Sequence, residues 1–355
     1  MSNRVAGERT AVKAEGDRAQ RLLWVDALRG YAIIDVIGDH LYGTGIAGGC
    51  GVQLFFLVSA YSLLHSVHHG HRDVGSFYVR RLFRVAPMFW LAIPLFAGLR
   101  AATGGDPHTL TDLLAAISFL FWVPSQWKSA MVPGSWSISC EVLFYLIFPL
   151  LVLTIDSFRK ALVGLFVMGV VAAIAWPLLR IWAGSVGLSN PATQNFFAFH
   201  SVTTQLPVFL LGFCLYFAPR GGDTKRRSIA AGAVGLLVLA AGIAVHLNSG
   251  RYYFVYAGSF LLIAYALSNG AFAFIANRYV AAIGVISYSA YFWHFFWLGV
   301  ADSLELGLVK TSLFVISLTL LCAAVTYRIV EQPGIRLGSR LAAALRTRRM
   351  KGSAV

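Results

Sequence analysis

The sequence predicts an all-α fold, a polytopic transmembrane helix bundle of about ten spanning helices plus one short non-spanning segment. Three observations carry this prediction. The 355-residue chain is 58% hydrophobic and only 12% charged, whereas a soluble domain has ~25% charged residues. Apolar runs recur along the whole chain at lengths near the ~20 residues that cross a bilayer. The formal net charge of +14 is gathered beside those runs, as in cytoplasmic flanks of membrane helices. No basic stripe lies on a soluble fold, so a nucleic-acid partner is not expected.

The apolar runs fall near 22–43, 51–67, 83–100, 113–123, 140–155, 161–183, 198–218, 229–247, 252–269, 281–300 and 311–330. The first 21 residues read as a basic cytoplasmic tail with Arg4, Arg9, Lys13, Arg18 and Arg21, and no cleavable signal peptide is read there. A second basic tail, 334–355, holds Arg336, Arg340, Arg346, Arg348, Arg349 and Lys351. Two cytoplasmic ends require an even number of crossings, so one run does not cross. Basic loops after the second, fifth and seventh runs mark the inner side, and the uncharged segment Ala183–Phe199 fits outside. These constraints close if 113–123, the shortest run, is a re-entrant or interfacial piece of an outer segment over 101–139. The membrane domain then spans 22–333, without internal repeat or linker.

The first run carries unusual charge: Asp26, Arg29, Asp35, Asp39 and His40. Each Asp or Arg near a helix centre costs roughly 2.5–3.5 kcal/mol on insertion scales. Arg29 and His40 are eleven residues apart, which places them about 20° from the same meridian and roughly 16 Å apart along the axis. Asp26 is one turn before Arg29. Asp35 points elsewhere and needs another partner or a water-filled cavity. Intramembrane ionisable residues mark function by default. The alternative is a structural Asp26–Arg29 pair and an interfacial histidine.

Further motifs follow in order. In FYVRRLFRVAP, Arg81 and Arg84 share a face where the third helix begins. They read as a phosphate clamp or as positive-inside charge. In GSWSISCEVLFYLIFPLL, Ser137 or Ser139 and Glu141 read as a helix cap or as functional groups. In ISYSAYFWHFFWL, Tyr288, Tyr291 and His294 form a polar stripe, either cavity-lining or an interfacial belt. YRIVEQPGIR reads as a helix stop with a local Arg328–Glu331 pair before Pro333. His65, His68, His69 and His71 read as a solvated loop rather than a metal site. Cys50, Cys140, Cys214 and Cys322 lack metal-ligand spacing and read as small helix residues, with an outer Cys50–Cys140 disulfide as the alternative.

Together VDALRGYAIIDVIGDH, GVQLFFLVSAYSL, FYVRRLFRVAP, GSWSISCEVLFYLIFP, ISYSAYFWHFFWL and YRIVEQP resemble, in this order, acyltransferase family 3, the integral membrane O-acyltransferases of bacterial envelopes and some antibiotic pathways. The resemblance implies a ten-helix core in the bacterial inner membrane and transfer of an acyl group from acyl-CoA, acetyl-CoA in particular, to a hydroxyl. It implies an acceptor that contains carbohydrate, such as an envelope glycan, a glycolipid or a macrolide sugar. Acyl-CoA is then a co-substrate, with no bound cofactor and no metal.

By the same resemblance His40, Arg29 and Glu141 are the catalytic candidates, and Arg81 and Arg84 bind the CoA phosphates. Asp26, Ser137, Tyr288 and His294 are candidates for lining the cavity. His40 acts as general base or transient acyl carrier. The sequence departs from the family where Gln53 replaces an acidic residue, where Ser59–Ala60 replaces Ser–Gly, and at Asp35 and Asp39. A proton-coupled transporter would also carry intramembrane acids and a histidine, but would not turn over acyl-CoA.

Overall fold

In a computed structural model the described residues are 23–43, 49–69, 73–119, 130–219, 224–245 and 249–352. They form helices and turns, with no strand among them. The order is α1 (23–42), α2 (Gly51–His68), α3 (Val74–Ala102), α4 (Leu110–Ile117), α5 (Ser135–Thr154), α6 (Phe158–Ser185) and α7 (Pro191–Phe199). There follow α8 (Val202–Phe217), α9 (Thr224–Ala244), α10 (Ser249–Ser268), α11 (Arg278–Val285), α12 (Ser287–Asp302), α13 (Leu308–Thr326), a π turn (Tyr327–Glu331) and α14 (Gln332–Gly352).

Short-range chemistry sets the helix starts. Asp73 accepts from the Ser76 N–H at 2.6 Å and caps α3. The helix therefore begins well before the apolar run at 83, and Arg81 and Arg84 lie in its third turn rather than at its start. The basic side chains hid the first turns from a hydropathy reading. Thr109 and Asp112 close a capping box on α4. At eight residues, α4 is too short to span. Asn277 caps α11 with bonds from the Tyr279 and Val280 N–H groups, both 3.0 Å.

Among the described residues six helical stretches are long and apolar enough to cross a membrane: Val74–Ala102, Ser135–Thr154, Phe158–Ser185, Pro191–Phe217, Thr224–Ala244 and Leu308–Thr347. The α11–α12 pair makes a seventh if its halves count together, but it bends by 72° at Ile286. The expected count of about ten is not reached on this criterion. The remainder are α1, which is charged, α2, which carries Gln53 and two histidines, and the 17-residue apolar part of α10, Tyr252–Ser268. The physical reason is visible in their packing. Helices α1 and α2 bury Ala27, Ile33, Leu57 and Leu64 against other helices rather than lipid, so their composition need not match hydrocarbon.

Small residues set the closest crossings. A Cβ on Gly284 of α11 would stand 1.7 Å from the Asp26 carbonyl oxygen, and one on Gly30 would stand 2.1 Å from that of Val280. Thus α1 and α11 touch backbone to backbone. Gly212 of α8 would meet the Leu57 carbonyl of α2 at 2.5 Å.

The chain does not stop at Pro333. The π turn widens the helix just ahead of it, where the proline ring would otherwise meet the carbonyl four residues back. The helix continues as α14 along α3, with Ser76 Oγ donating to the Ala342 carbonyl at 3.0 Å. Most of the segment read as a basic tail is thus a docked helix.

All four cysteines are free, so the Cys50–Cys140 disulfide is not formed. Cys140 Sγ instead lies 3.3 Å from the His200 carbonyl. Among the described residues no group of three His, Cys, Asp or Glu could hold a metal. His65 and His69 stack at 4.0 Å, and His71 lies outside the described residues.

Candidate active site

The site assembles where α1, α2, α3, α5 and α12 meet. Two cavities share Val52 and Tyr291 in their walls. The smaller, about 100 Å³, is lined by Arg29, Ser59, Arg81, Arg84, Ser137, Glu141, Tyr145 and Tyr288. The larger, about 1380 Å³, is lined by His40, Asp39, Trp136, Arg180, His200 and Tyr252 among others.

In the smaller cavity the cations are held by named partners. Arg29 donates from Nη1 to Asp26 at 2.9 Å and from Nη2 to Ser62 Oγ at 3.0 Å. The local Asp26–Arg29 pair therefore exists, and it leaves the guanidinium facing the cavity. Asp26 lines neither cavity and stands behind Arg29. Arg84 forms an ion pair with Glu331 of the π turn, whose other oxygen accepts from Ser289 Oγ at 2.8 Å. The expected Arg328–Glu331 pair is thus replaced. Glu331 faces inward with a side chain 0% exposed, while Arg328 is exposed. The π turn resets the helical phase that a simple i,i+3 reading assumes. Arg81 lies 5.9 Å from the Tyr145 ring centre. Its Nε is buried and has no hydrogen-bond partner among the described residues.

Glu141 does not cap α5. Gly134, left-handed at φ 72°, is the N-cap, and no side chain caps the helix. Only glycine fits there, because a Cβ would stand 2.5 Å from Tyr291 Oη. This turn aims the Gly134 carbonyl at Ser137 Oγ, 3.0 Å, and at Tyr291 Oη, 2.9 Å. Ser137 also donates to Tyr291 at 3.0 Å. Glu141, one turn on, accepts from Ser59 Oγ at 2.7 Å and Tyr145 Oη at 2.5 Å. Tyr288 donates to the Val85 carbonyl at 2.8 Å. The tyrosines of α12 thus serve the interior, not a membrane interface.

His40 faces the larger cavity at the C-terminal end of α1. Its Nδ1 is 2.8 Å from the Val36 carbonyl. A carbonyl only accepts, so Nδ1 is the donor and Nε2 is the ring nitrogen left toward the cavity. Phe295 packs edge-on at 4.5 Å between ring centres, and His294 lies at 5.2 Å. His294 is fully buried and lines neither cavity. It packs behind the His40 ring. Gln53 donates to Gln205 at 3.0 Å, and both are buried. An amide pair thus stands where the resemblance places an acid.

Sequence reasoning missed Ser59, Tyr145 and Glu331 as site groups. Glu331 had a signal, an acid within the last membrane stretch, but a basic neighbour three residues away explained it too easily.

Fold and site together define an integral membrane protein of packed helices, with a cation-lined cavity meeting a histidine-lined one. Residues 22–330 match the family described as an acyltransferase domain, and the chain belongs to that family. It is 26% identical over 348 residues to the O-acetyltransferase OatA of Staphylococcus aureus strain NCTC 8325 / PS 47, covering 87% of this chain and 56% of that protein. OatA of strain COL is similar to the same degree. The chain spans just over half the length of these relatives. No solved structure matches it.

Proposed function

We propose that this protein is a membrane O-acyltransferase that moves an acetyl group from acetyl-CoA to a hydroxyl of a carbohydrate-containing acceptor. The observation that carries the reading is the pair of neighbouring cavities that share Val52 and Tyr291 in their walls, one cationic and one lined by His40. Membership of the acyltransferase family and the likeness to OatA support it.

In this reading the anionic CoA head sits at Arg81 and Arg84, whose guanidinium forks suit phosphate. The arm passes Arg29 and presents the thioester beside Tyr291. The acceptor enters the larger cavity. His40 Nε2 takes the hydroxyl proton as the oxygen attacks the thioester carbonyl. The new C–O bond forms, the C–S bond breaks, and the proton passes to the departing thiolate. Alternatively Nε2 itself attacks, an acyl-imidazole forms as the thiolate leaves, and the acceptor hydroxyl then takes the acyl group and gives up its proton. Glu141, held by Ser59 and Tyr145, completes the polar lining and orients water.

The proposal includes ten membrane crossings, with α1, α2 and α10 crossing inside the shelter of the bundle. It places both ends in the cytoplasm and the protein in a bacterial inner membrane. Arg81 is then on the donor side, and His40 lies toward the outer half. Purified protein in nanodiscs with labelled acetyl-CoA tests the function. Release of CoA with transfer of label to protein or saccharide is expected. Acetyl-CoA left intact and unbound, with proton-coupled uptake of a solute in vesicles, would replace the enzyme by a transporter.

A further inference from the structure

Arg180 has no part in the chemistry described so far. Between Ala161 and Pro219 it is the only Asp, Glu, Lys or Arg in the chain. It sits near the end of α6, a helix long and apolar enough to span the membrane. A cation in such a helix is costly without a partner or a water-filled space. Arg180 lines the cavity of about 1380 Å³. Its Nε is buried and unbonded, and Arg180 takes part in none of the four ion pairs among the described residues.

The same wall carries groups suited to a sugar. Trp136 stacks on His200 at 4.0 Å with an angle of 18° between rings. Trp176, Asn195 and Tyr252 complete an aromatic and amide lining, the mixture of apolar faces and few fixed polar groups that small-molecule sites use. Asp39 also lines this cavity, but its carboxylate lies against the turn at Gly49, where a Cβ would meet Oδ2 at 2.6 Å. His40 opens into the same space.

We infer that the larger cavity is the acceptor site and that it selects an anionic saccharide, with Arg180 pairing the acceptor's carboxylate or phosphate. This rests on the acyltransferase reading and adds the charge class of the acceptor. An oxyanion supplies the counter-charge that α6 lacks, and Arg binds it through two parallel N–H bonds. The sugar ring then lies along the tryptophan wall with a hydroxyl toward His40.

The test uses the full chain in phosphatidylcholine nanodiscs. Binding of tetragalacturonate, with one carboxylate per ring, is compared with binding of neutral galactotetraose. Wild type is expected to bind the anionic tetramer at least tenfold more tightly. Arg180→Gln should lose that preference, and Arg180→Lys should keep part of it. Equal binding of the two saccharides, binding of neither, or a preference that Arg180→Gln retains would overturn the inference. Discs containing phosphatidylglycerol separate a glycan anion from a lipid phosphate. Unchanged tetragalacturonate binding is expected there. Its loss would give Arg180 to a lipid headgroup and overturn the acceptor assignment. Acetyl-CoA binding, measured on the same samples, stands apart. Its absence with the saccharide preference intact would reject the acyltransferase reading rather than the anion site.

Discussion

Arg84 and Arg81, one turn apart on α3, do different work. Arg84 is paired with Glu331 and packed 5.8 Å from the Tyr288 ring centre, so it braces α3 against the π turn while it also lines the proposed donor cavity. Arg81 lines the same cavity and takes part in no ion pair among the described residues. Glu331→Gln should therefore cost about 3 kcal/mol of stability, the lower end of the range for breaking a buried pair, because Arg84 is partly exposed. Arg328→Gln should stay within about 0.5 kcal/mol. Thermal melts of the two variants in one detergent check the contrast, and equal shifts would refute it. Arg81→Gln should raise the KM for acetyl-CoA by roughly tenfold, the loss of about one charge-assisted hydrogen bond, with kcat little changed. Steady-state kinetics decide it, and a fall in kcat at constant KM would remove Arg81 from donor binding. Arg29, His40, Arg84 and Glu141 stand out in the sequence because charge inside apolar runs is anomalous, and the structure places them, with Arg81, on cavity walls. Ser59 and Glu331 were not legible in the sequence, because each meets its partner across 82 and 247 residues of chain, and no local pattern encodes that.

At the scale of helices, the contact between α1 and α11 places Arg29. Backbones meet at Gly30 and Gly284, with no room for a methyl group on either. Gly284→Ala must push the helices apart and should destabilise by roughly 1–3 kcal/mol, as overpacking does. It should also lower activity, because Arg29 moves with α1. Gly258→Ala, in α10 with open space around it, should leave the melting temperature within a degree or two and serves as the control. Melting and activity measured together on both variants check this; a silent Gly284→Ala would show that the crossing tolerates separation. Helix existence was legible from hydropathy, but helix phase and bounds were less so. The start of α3 was masked by arginines, the bend at Ile286 has no proline to announce it, and Pro333 was read as an end because the π turn ahead of it leaves no mark in composition.

For the whole molecule, length and hydropathy give six spans, or seven with the bent pair, among the described residues, because α1 and α2 are polar and the apolar part of α10 is short. Ten crossings remain the proposal, and they demand that both ends lie on one side. Reporter proteins that fluoresce only in the cytoplasm, fused separately to each end, should both be bright; one dark fusion would mean an odd number of crossings. In the proposed arrangement the thioester, presented beside Tyr291, meets the acceptor hydroxyl at His40 in the larger cavity. The most direct measurement is CoA release from labelled acetyl-CoA, with label followed on protein and acceptor, for wild type and His40→Ala in nanodiscs. The account predicts a fall of about 10²–10⁴-fold in transfer for His40→Ala, with acetyl-CoA binding and the melting temperature kept. Equal transfer by both proteins would contradict it and take His40 out of the chemistry.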